Sequence, residues 1–325
     1  MLFYAGIDEA GYGPMFGPLC VAMVALELPE ANPADGAPDL WATLSEVVCR
    51  ERKHARSRIA VDDSKKLKGA SSGAKHPLLH LERGVLGFEA ATSDDPMAST
   101  DAELFARVGA GVPEHAWCEG PRPLPVGQDR GLLRIEAARL RRGLDAAGVR
   151  VAAMQVEAID PGEFNRRVAR AGTKAAVNLE AVFRHVARVR ALAGPDGHPR
   201  VIVDRQGGRT RYCSELSRAW PEASIEVLVE HPDLSRYRLA DADGTLTISF
   251  VKEADARHMP VALASMAAKY VRELFMLRLN AFFTGHVAGL RPTAGYVQDG
   301  RRYLAEIQST IETLAIPANC LVRER

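Results

Sequence analysis

The chain has 325 residues, enough for one large domain or two ordinary ones, and 47% of them are hydrophobic, as in a globular protein with a substantial core. Its net charge of +1 excludes a global basic attraction to nucleic acid, so any such binding needs local patches. The five cysteines, Cys20, Cys49, Cys118, Cys213 and Cys320, lack CxxC spacing, which argues against a zinc knuckle or a disulfide framework and fits a reducing compartment.

Residues 1–14 read as a short apolar strand that runs into two adjacent carboxylates, Asp8 and Glu9, and then a glycine-rich turn. Successive strand residues face opposite sides, so the two acids cannot both point the same way while the strand stays regular. Gly11 and Gly13 are free to take unusual backbone angles. The acids also interrupt the apolar N-terminus, so no signal peptide is expected. No apolar run approaches the ~18 residues of a membrane span. A soluble, cytoplasmic protein without membrane contact is the expectation.

Residues 18–27 read as a second strand, close enough to the first for an antiparallel pair. Residues 29–40, with Pro29, Pro33, Gly36 and Pro38, read as a loop, and 41–56 as a helix. Asp62-Asp63-Ser64-Lys65-Lys66-Leu67-Lys68 suits a helix N-terminus or an exposed phosphate-binding loop, although a short lysine cluster also serves as a plain solvated face. From 69 to 130 the composition shifts to Gly, Ser, Pro and Asp, as in an insertion with a little structure of its own.

Helical spacing returns at 130–147 (Leu133, Ala137, Leu140, Leu144), stopped by Gly148. A strand is expected at 149–159 and an amphipathic helix at 175–192, ended by Gly194-Pro195-Asp196-Gly197. Residues 199–204 form a second buried-looking strand that ends in Asp204 and is followed by Gly207 and Gly208. In α/β folds, strand ends of this kind form the crevice where chemistry sits. A helix at 210–220, a strand at 225–230 and an inserted hairpin at 231–249, turning at Asp243-Gly244, follow. The last long helix, 261–283, is apolar nearly all round and should be buried. Its exceptions, Lys269, Arg272 and Glu273, fall within one turn, and Asp255 lies just before its start.

Together these stretches resemble one family. Gly6-Ile-Asp-Glu-Ala-Gly-Tyr-Gly-Pro14, Asp63-Ser-Lys-Lys-Leu67, Val203-Asp204 followed by glycine, Glu253-Ala-Asp-Ala256, Ala264-Ser-Met-Ala-Ala-Lys269 and Gly295-Tyr296 occur in the order seen in ribonuclease HII, the type 2 ribonucleases H. The resemblance covers roughly residues 1–70 and 150–305, with 69–130 and 231–249 outside it. It implies an α/β ribonuclease H-like fold: a single domain with a mixed central sheet flanked by helices, its first strands antiparallel, and a C-terminal helical part.

The resemblance also implies an endonuclease that hydrolyses the RNA strand, or embedded ribonucleotides, in RNA/DNA hybrid duplexes. Block matching makes Asp8, Glu9, Asp204 and Asp255 the catalytic, metal-binding acids for two Mg²⁺ or Mn²⁺ ions. Hard cations take carboxylate oxygens rather than Cys or His, and an all-carboxylate set suits them. Without metal, such acids raise one another's pKa. Gly11, Tyr12 and Gly13 match the turn that meets the ribose 2′-hydroxyl, Ser64, Lys65, Ser265 and Lys269 match positions near phosphates, and Tyr296 matches the tyrosine that stacks on the junction sugar. For Lys269 the plainer alternative is an i,i+4 pair with Glu273, and for Tyr296 a partly buried aromatic.

Two departures stand out. Tyr12 occupies a place where the family has Arg, and tyrosine cannot grip phosphate bidentately. Glu253 stands where the family has Lys. A divergent two-metal nuclease and a catalytically weak nucleic-acid-binding protein are the competing readings. His185, His231 and His258 are expected to be structural or surface groups.

Overall fold

The computed structural model describes residues 1–33, 36–69, 75–195 and 197–324. Residues 34–35 of the 29–40 loop, residues 70–74 of the 69–130 stretch and Asp196 of the turn after 175–192 lie outside it.

The strands are β1 (Leu2–Ala10), β2 (Leu19–Leu28), β3 (Val48–Cys49), β4 (Ile59–Ala60), β5 (Arg150–Ile159), β6 (His198–Asp204), β7 (Ser224–His231), β8 (Leu234–Asp241) and β9 (Gly244–Val251). The helices are α1 (Leu40–Thr43), α2 (Ser64–Leu67), α3 (Leu79–Glu89), α4 (Asp101–Val108), α5 (Arg130–Ala146), α6 (Pro161–Ala171), α7 (Lys174–Ala193), α8 (Cys213–Ala219), α9 (Met259–His286), α10 (Val297–Thr313) and α11 (Ala318–Leu321).

Seven strands make one mixed sheet in the order β5-β2-β1-β6-β9-β8-β7. β1 is antiparallel to β2 and parallel to β6, and β6 is parallel to β9. β1 and β2 are buried on both faces, which is why they read as continuous apolar runs rather than alternating ones. One face packs on α9, α3 and α5, the other on α7, while α10 and α11 close a third cluster against the C-terminal part of α9. This is the mixed α/β architecture expected from the sequence: antiparallel first strands, helices on both faces and a C-terminal helical part. No helix among the described residues is long and apolar enough to cross a membrane.

Three expectations change. Residues 41–56 do not form one helix. Asp39 caps the single turn α1 by accepting from the Trp41 and Ala42 amides, and the chain then turns into β3, which pairs with β4. Val47, Val48 and Cys49 are buried there, so tertiary packing overrides helical spacing. The 231–249 hairpin exists but turns at Ala242-Asp243, with Gly244 already in β9, and its second strand is built into the sheet. β9 pairs parallel with β6 and buries Ile248 and Phe250. Finally, only Gly11 of the opening pair takes a positive φ, at 88°.

The 69–130 stretch is tied into the body by buried charge. Arg278 of α9 pairs with Asp101 of α4 at 2.6 Å, both almost fully buried, and Arg83 of α3 pairs with Glu136 of α5 at 2.8 Å. Such pairs must be satisfied on both sides, because losing one partner strands a buried charge.

β1 packs backbone to backbone against the first turn of α9. A Cβ on Gly6 would lie 2.1 Å from the Val261 amide nitrogen and 2.5 Å from the Pro260 carbonyl oxygen. Backbone cannot yield as a side chain can, so Gly6→Ala should cost about 3 kcal/mol or more. Its denaturant midpoint should fall accordingly, and a wild-type midpoint would show that α9 can retreat.

Candidate functional site

The C-terminal ends of β1 and β6 lie side by side, and the chain leaving β9 makes a 3₁₀ turn, Ala254–Ala256, against them. These three places supply the acids. Asp8 and Glu9 come from β1, Asp204 ends β6, and Asp255 sits in the turn. The turn is fixed to β6 because the Ala254 amide donates to Asp204 Oδ1 at 2.8 Å. Together they line a cleft of about 640 Å³ whose other walls are Gly11, Tyr12 and Gly13, then Ser64 and Lys65 of α2, Ser265 and Lys269 of α9, and Tyr296. Every residue singled out in the sequence as a candidate site residue therefore faces one cavity. Asp63, Lys66 and Glu253 line it as well.

Strand alternation places Asp8 and Glu9 on opposite faces, and each finds its own donor. Asp8 accepts from the Glu9 amide at 2.7 Å and from the Ser265 hydroxyl on the α9 side. Ser265 Oγ in turn lies 3.1 Å from Ser64 Oγ, and both serines are buried. Glu9 is met from the α7 side by Asn178, a fully buried amide whose Oδ1 has no protein partner.

Burial and mutual repulsion shift these acids upward. Asp8 is pushed well above the carboxylate range, first by burial and then by Glu9 and Asp204. Burial, then Asp204, takes Glu9 up to about 7, and burial, then Asp255, takes Asp204 up to about 6. Asp255 is raised by burial and by Asp63. Lys65 opposes the shift at Glu9, Asp204 and Asp255, so its ammonium sits in the field of all three.

Lys269 makes the i,i+4 pair that the sequence allowed and also lines the cleft. Its Nζ is 2.8 Å from Glu273 Oε1, which Lys68 also approaches at 2.8 Å. Tyr296 is not a partly buried aromatic: 55% of it is exposed, as is 40% of Tyr12.

Asp63, in the stretch expected to open a helix, caps α2 by accepting from the Lys65 amide at 2.8 Å. Two further contributors, Asn178 and Arg272, were given no site role by the sequence. Asn178 is an amide on the buried face of an apolar helix, and that oddity was its signal. Arg272 is 1% exposed and donates to the carbonyls of Phe16 and Ala294 at 3.1 and 3.0 Å, below the turn at Gly11. It locks the loop bearing Tyr12 to the loop bearing Tyr296, aided by the Met15 amide donating to Gly295 at 2.8 Å. Its sequence signal was an arginine inside an otherwise apolar helix.

No family model matches the chain, and no curated protein does. Among solved structures it is similar to RNase HII of Archaeoglobus fulgidus, seen in a PCNA:RNase HII complex, at 18% identity over 100% of this chain and 95% of that one, with a TM-score of 0.42. It is similar to ribonuclease H2 of Pyrococcus horikoshii OT3 at 15% identity over 98% and 92%, with a TM-score of 0.43. It is also similar to Bst-RNase HIII, seen in complex with Mn²⁺, at 15% identity over 99% and 66%, with a TM-score of 0.42.

The donor chemistry of the cleft fits hard divalent cations, since Asp8, Glu9, Asp204 and Asp255 offer only carboxylate oxygens. Their spacing is not that of a closed cage: among the described residues no three His, Cys, Asp or Glu side chains converge enough to hold a metal ion. Asp8 and Asp204 instead spend oxygens on protein donors.

A raised folded-state pKa means that the folded protein holds protons which the unfolded chain releases. Stability from Glu9 and Asp204 is then present below about pH 4 and lost as pH rises through about 6 to 7. In chelator, the melting temperature should fall between pH 4.5 and 7.5, and Glu9→Gln should flatten that fall. A melting temperature that rises over this window would mean the acids are not crowded.

Proposed function

We propose that this protein is a metal-dependent endonuclease of the ribonuclease H type, hydrolysing the RNA strand or embedded ribonucleotides in RNA/DNA hybrid duplexes. What carries the reading is the gathering of Asp8, Glu9, Asp204 and Asp255 with Lys65 in one open cleft. Crowded carboxylates with raised pKa values are a costly arrangement, and a bound cation removes the cost. Asp8, Glu9, Asp204 and Asp255 would hold two Mg²⁺ or Mn²⁺ ions, which when bound supply an activated water and a stabilised leaving oxygen.

The chain's own groups do the rest. Ser64, Ser265 and the Glu9 amide fix the rotamer of Asp8, and Asn178 fixes that of Glu9. Lys65 and Lys66 bring positive charge to the mouth of the acid cluster, where a phosphodiester would otherwise be repelled. Lys269, tied to Glu273, acts at shorter range as a fixed cation in the wall. The backbone at Gly11-Tyr12-Gly13 offers polar groups to a ribose 2′-hydroxyl, the group that distinguishes RNA from DNA. The exposed ring of Tyr296 offers an apolar surface to a sugar.

In this reading the chain is one domain, and 69–130 is an addition that buttresses α9. No protein nucleophile is needed, and among the described residues no histidine or cysteine lines the cleft.

The test is a panel of duplexes containing no, one or several ribonucleotides, each with Mg²⁺ or Mn²⁺. Cutting confined to ribonucleotide-containing duplexes is expected. Equal cutting of all-DNA duplex would indicate a nuclease of different substrate, and tight hybrid binding without cutting a binding protein that keeps the fold. Asp8→Asn should lower kcat by about 100-fold or more in a protein that still folds and melts cooperatively. Near-wild-type turnover would remove Asp8 from the reacting centre.

A further inference from the structure

The sheet carries a second charged surface that leads away from the cleft. Alternate residues of β6, β9 and β8 face opposite sides. On one side Val201, Val203, Ile248, Phe250, Tyr237 and Leu239 are buried in the cluster under α7. On the other side stand Arg200, Arg236 and Arg238 with Thr245 and Thr247. The register sets Thr247 between Arg200 and Arg238, and Ser249 beside Arg236. Arg238 and Thr245 are exposed and Arg200, Arg236 and Thr247 half-buried, while Ile202, Ser249 and Val251, nearer the acids, are buried, so the face is open at its far part and its arginines rise beside a covered stretch.

It is also the face of Asp8 and Asp204. Asp204 pairs with Val251 and Arg236 with Ser249, two residues back along β9, while Arg200 lies four residues before Asp204 on β6. At ~3.3 Å per residue, the two arginines stand ~7 and ~13 Å behind the acids along the strands. Arg257, exposed, joins them where the turn leaves the cleft.

Three of these cations, Arg200, Arg236 and Arg257, stand near one another without a counter-ion among the described residues. Arg200 is disfavoured as a cation by burial and then by Arg236, and His258 is held down to about 4 by burial and then by Arg257 and Arg236. Arg200 donates to the Pro33 carbonyl at 3.0 Å and Arg236 to Ser249 Oγ at 3.0 Å. Among the described residues no carboxylate is in ion-pair reach of Arg200, Arg236 or Arg257, whereas Arg238 has Glu226 at 2.8 Å. Like charges held together in a chain of near-zero net charge favour an anionic partner. At the far end the face dips into a hollow of about 370 Å³ lined by Arg200, Arg238, Thr245, Thr247 and His198.

We propose that this open face is a track for the sugar–phosphate backbone of the nucleic acid held in the cleft, with Arg257, Arg236 and Arg200 as successive phosphate contacts. The proposal rests on the nucleic-acid reading of the cleft. A polymer is the indicated partner because the cations are strung along the strands instead of converging on one point.

The test compares wild type with Arg236→Gln/Arg257→Gln on a long ribonucleotide-containing duplex and on one too short to leave the cleft. On the long duplex KM should rise about 10-fold at unchanged kcat, and the slope of log affinity against log salt should shrink by roughly 0.9 per lost phosphate contact, about 2 in all. On the short duplex KM should stay at the wild-type value, and Arg236→Lys/Arg257→Lys should restore most of the slope. A wild-type slope in the double variant, or an equal KM rise on both lengths, overturns the track. Failure of the underlying reading shows up separately, as a wild-type protein that cuts neither duplex and binds neither.

Discussion

The direct packing of β1 against the first turn of α9 is the constraint on which the rest of the structure depends. Gly6 has no Cβ, and one would collide with the Val261 amide and the Pro260 carbonyl. With that contact made, α9 runs along the strand that carries Asp8 and Glu9, and successive turns deliver Ser265, Lys269 and Arg272 to the same end of the sheet. β1 sits between β2 and β6, so Asp204 arrives beside Asp8 by parallel pairing alone. The cleft is thus a consequence of sheet order and one helix–strand approach.

Within the cleft, the main physical fact is the cost of crowding acids. Burial dominates the upward shift of Asp8, Glu9, Asp204 and Asp255, and mutual repulsion adds to it. The surroundings answer with donors of every kind: backbone amides at Glu9 and Ala254, hydroxyls at Ser265 and Ser64, the amide of Asn178, and the charge of Lys65. The Oδ1 of Asn178 has no hydrogen-bond partner among the described residues. It is tolerated where the other end of the same amide restrains a carboxylate, as strained or unsatisfied groups are at functional sites generally.

The rim is organised by different forces. Tyr12 and Tyr296 are exposed rings on two loops that would drift independently without a link. Arg272 supplies that link by donating to carbonyls of both loops from a fully buried position. Tyr12 therefore stands on a fixed mount, and its ring gives the rim an apolar, aromatic surface. Positive charge is found instead at Lys65 and Lys66 and along the open face of β6 and β8.

Much of this was legible in the sequence. Continuous apolar runs marked the central strands, because strands buried on both faces cannot alternate. The all-round apolar character of 261–283 marked α9 as buried, and the acids at strand ends pointed to one crevice. What local pattern could not decide was where non-local pairing would win. Residues 41–56 have helical spacing yet break after one turn, because Val48 and Cys49 gain more by pairing with Ile59 and Ala60 inside the core. Residues 231–249 read as an appendage, and only the parallel pairing of β9 with β6 made them part of the sheet. Asn178 and Arg272 stand out as polar residues in apolar helices, but only the fold shows what each one touches. The sequence by itself determined which side chains prefer burial and which carry charge, since those are properties of each residue. Which charges meet, which stay unpaired and which face is left open was decided by the tertiary structure, because these depend on contacts between residues up to hundreds of positions apart.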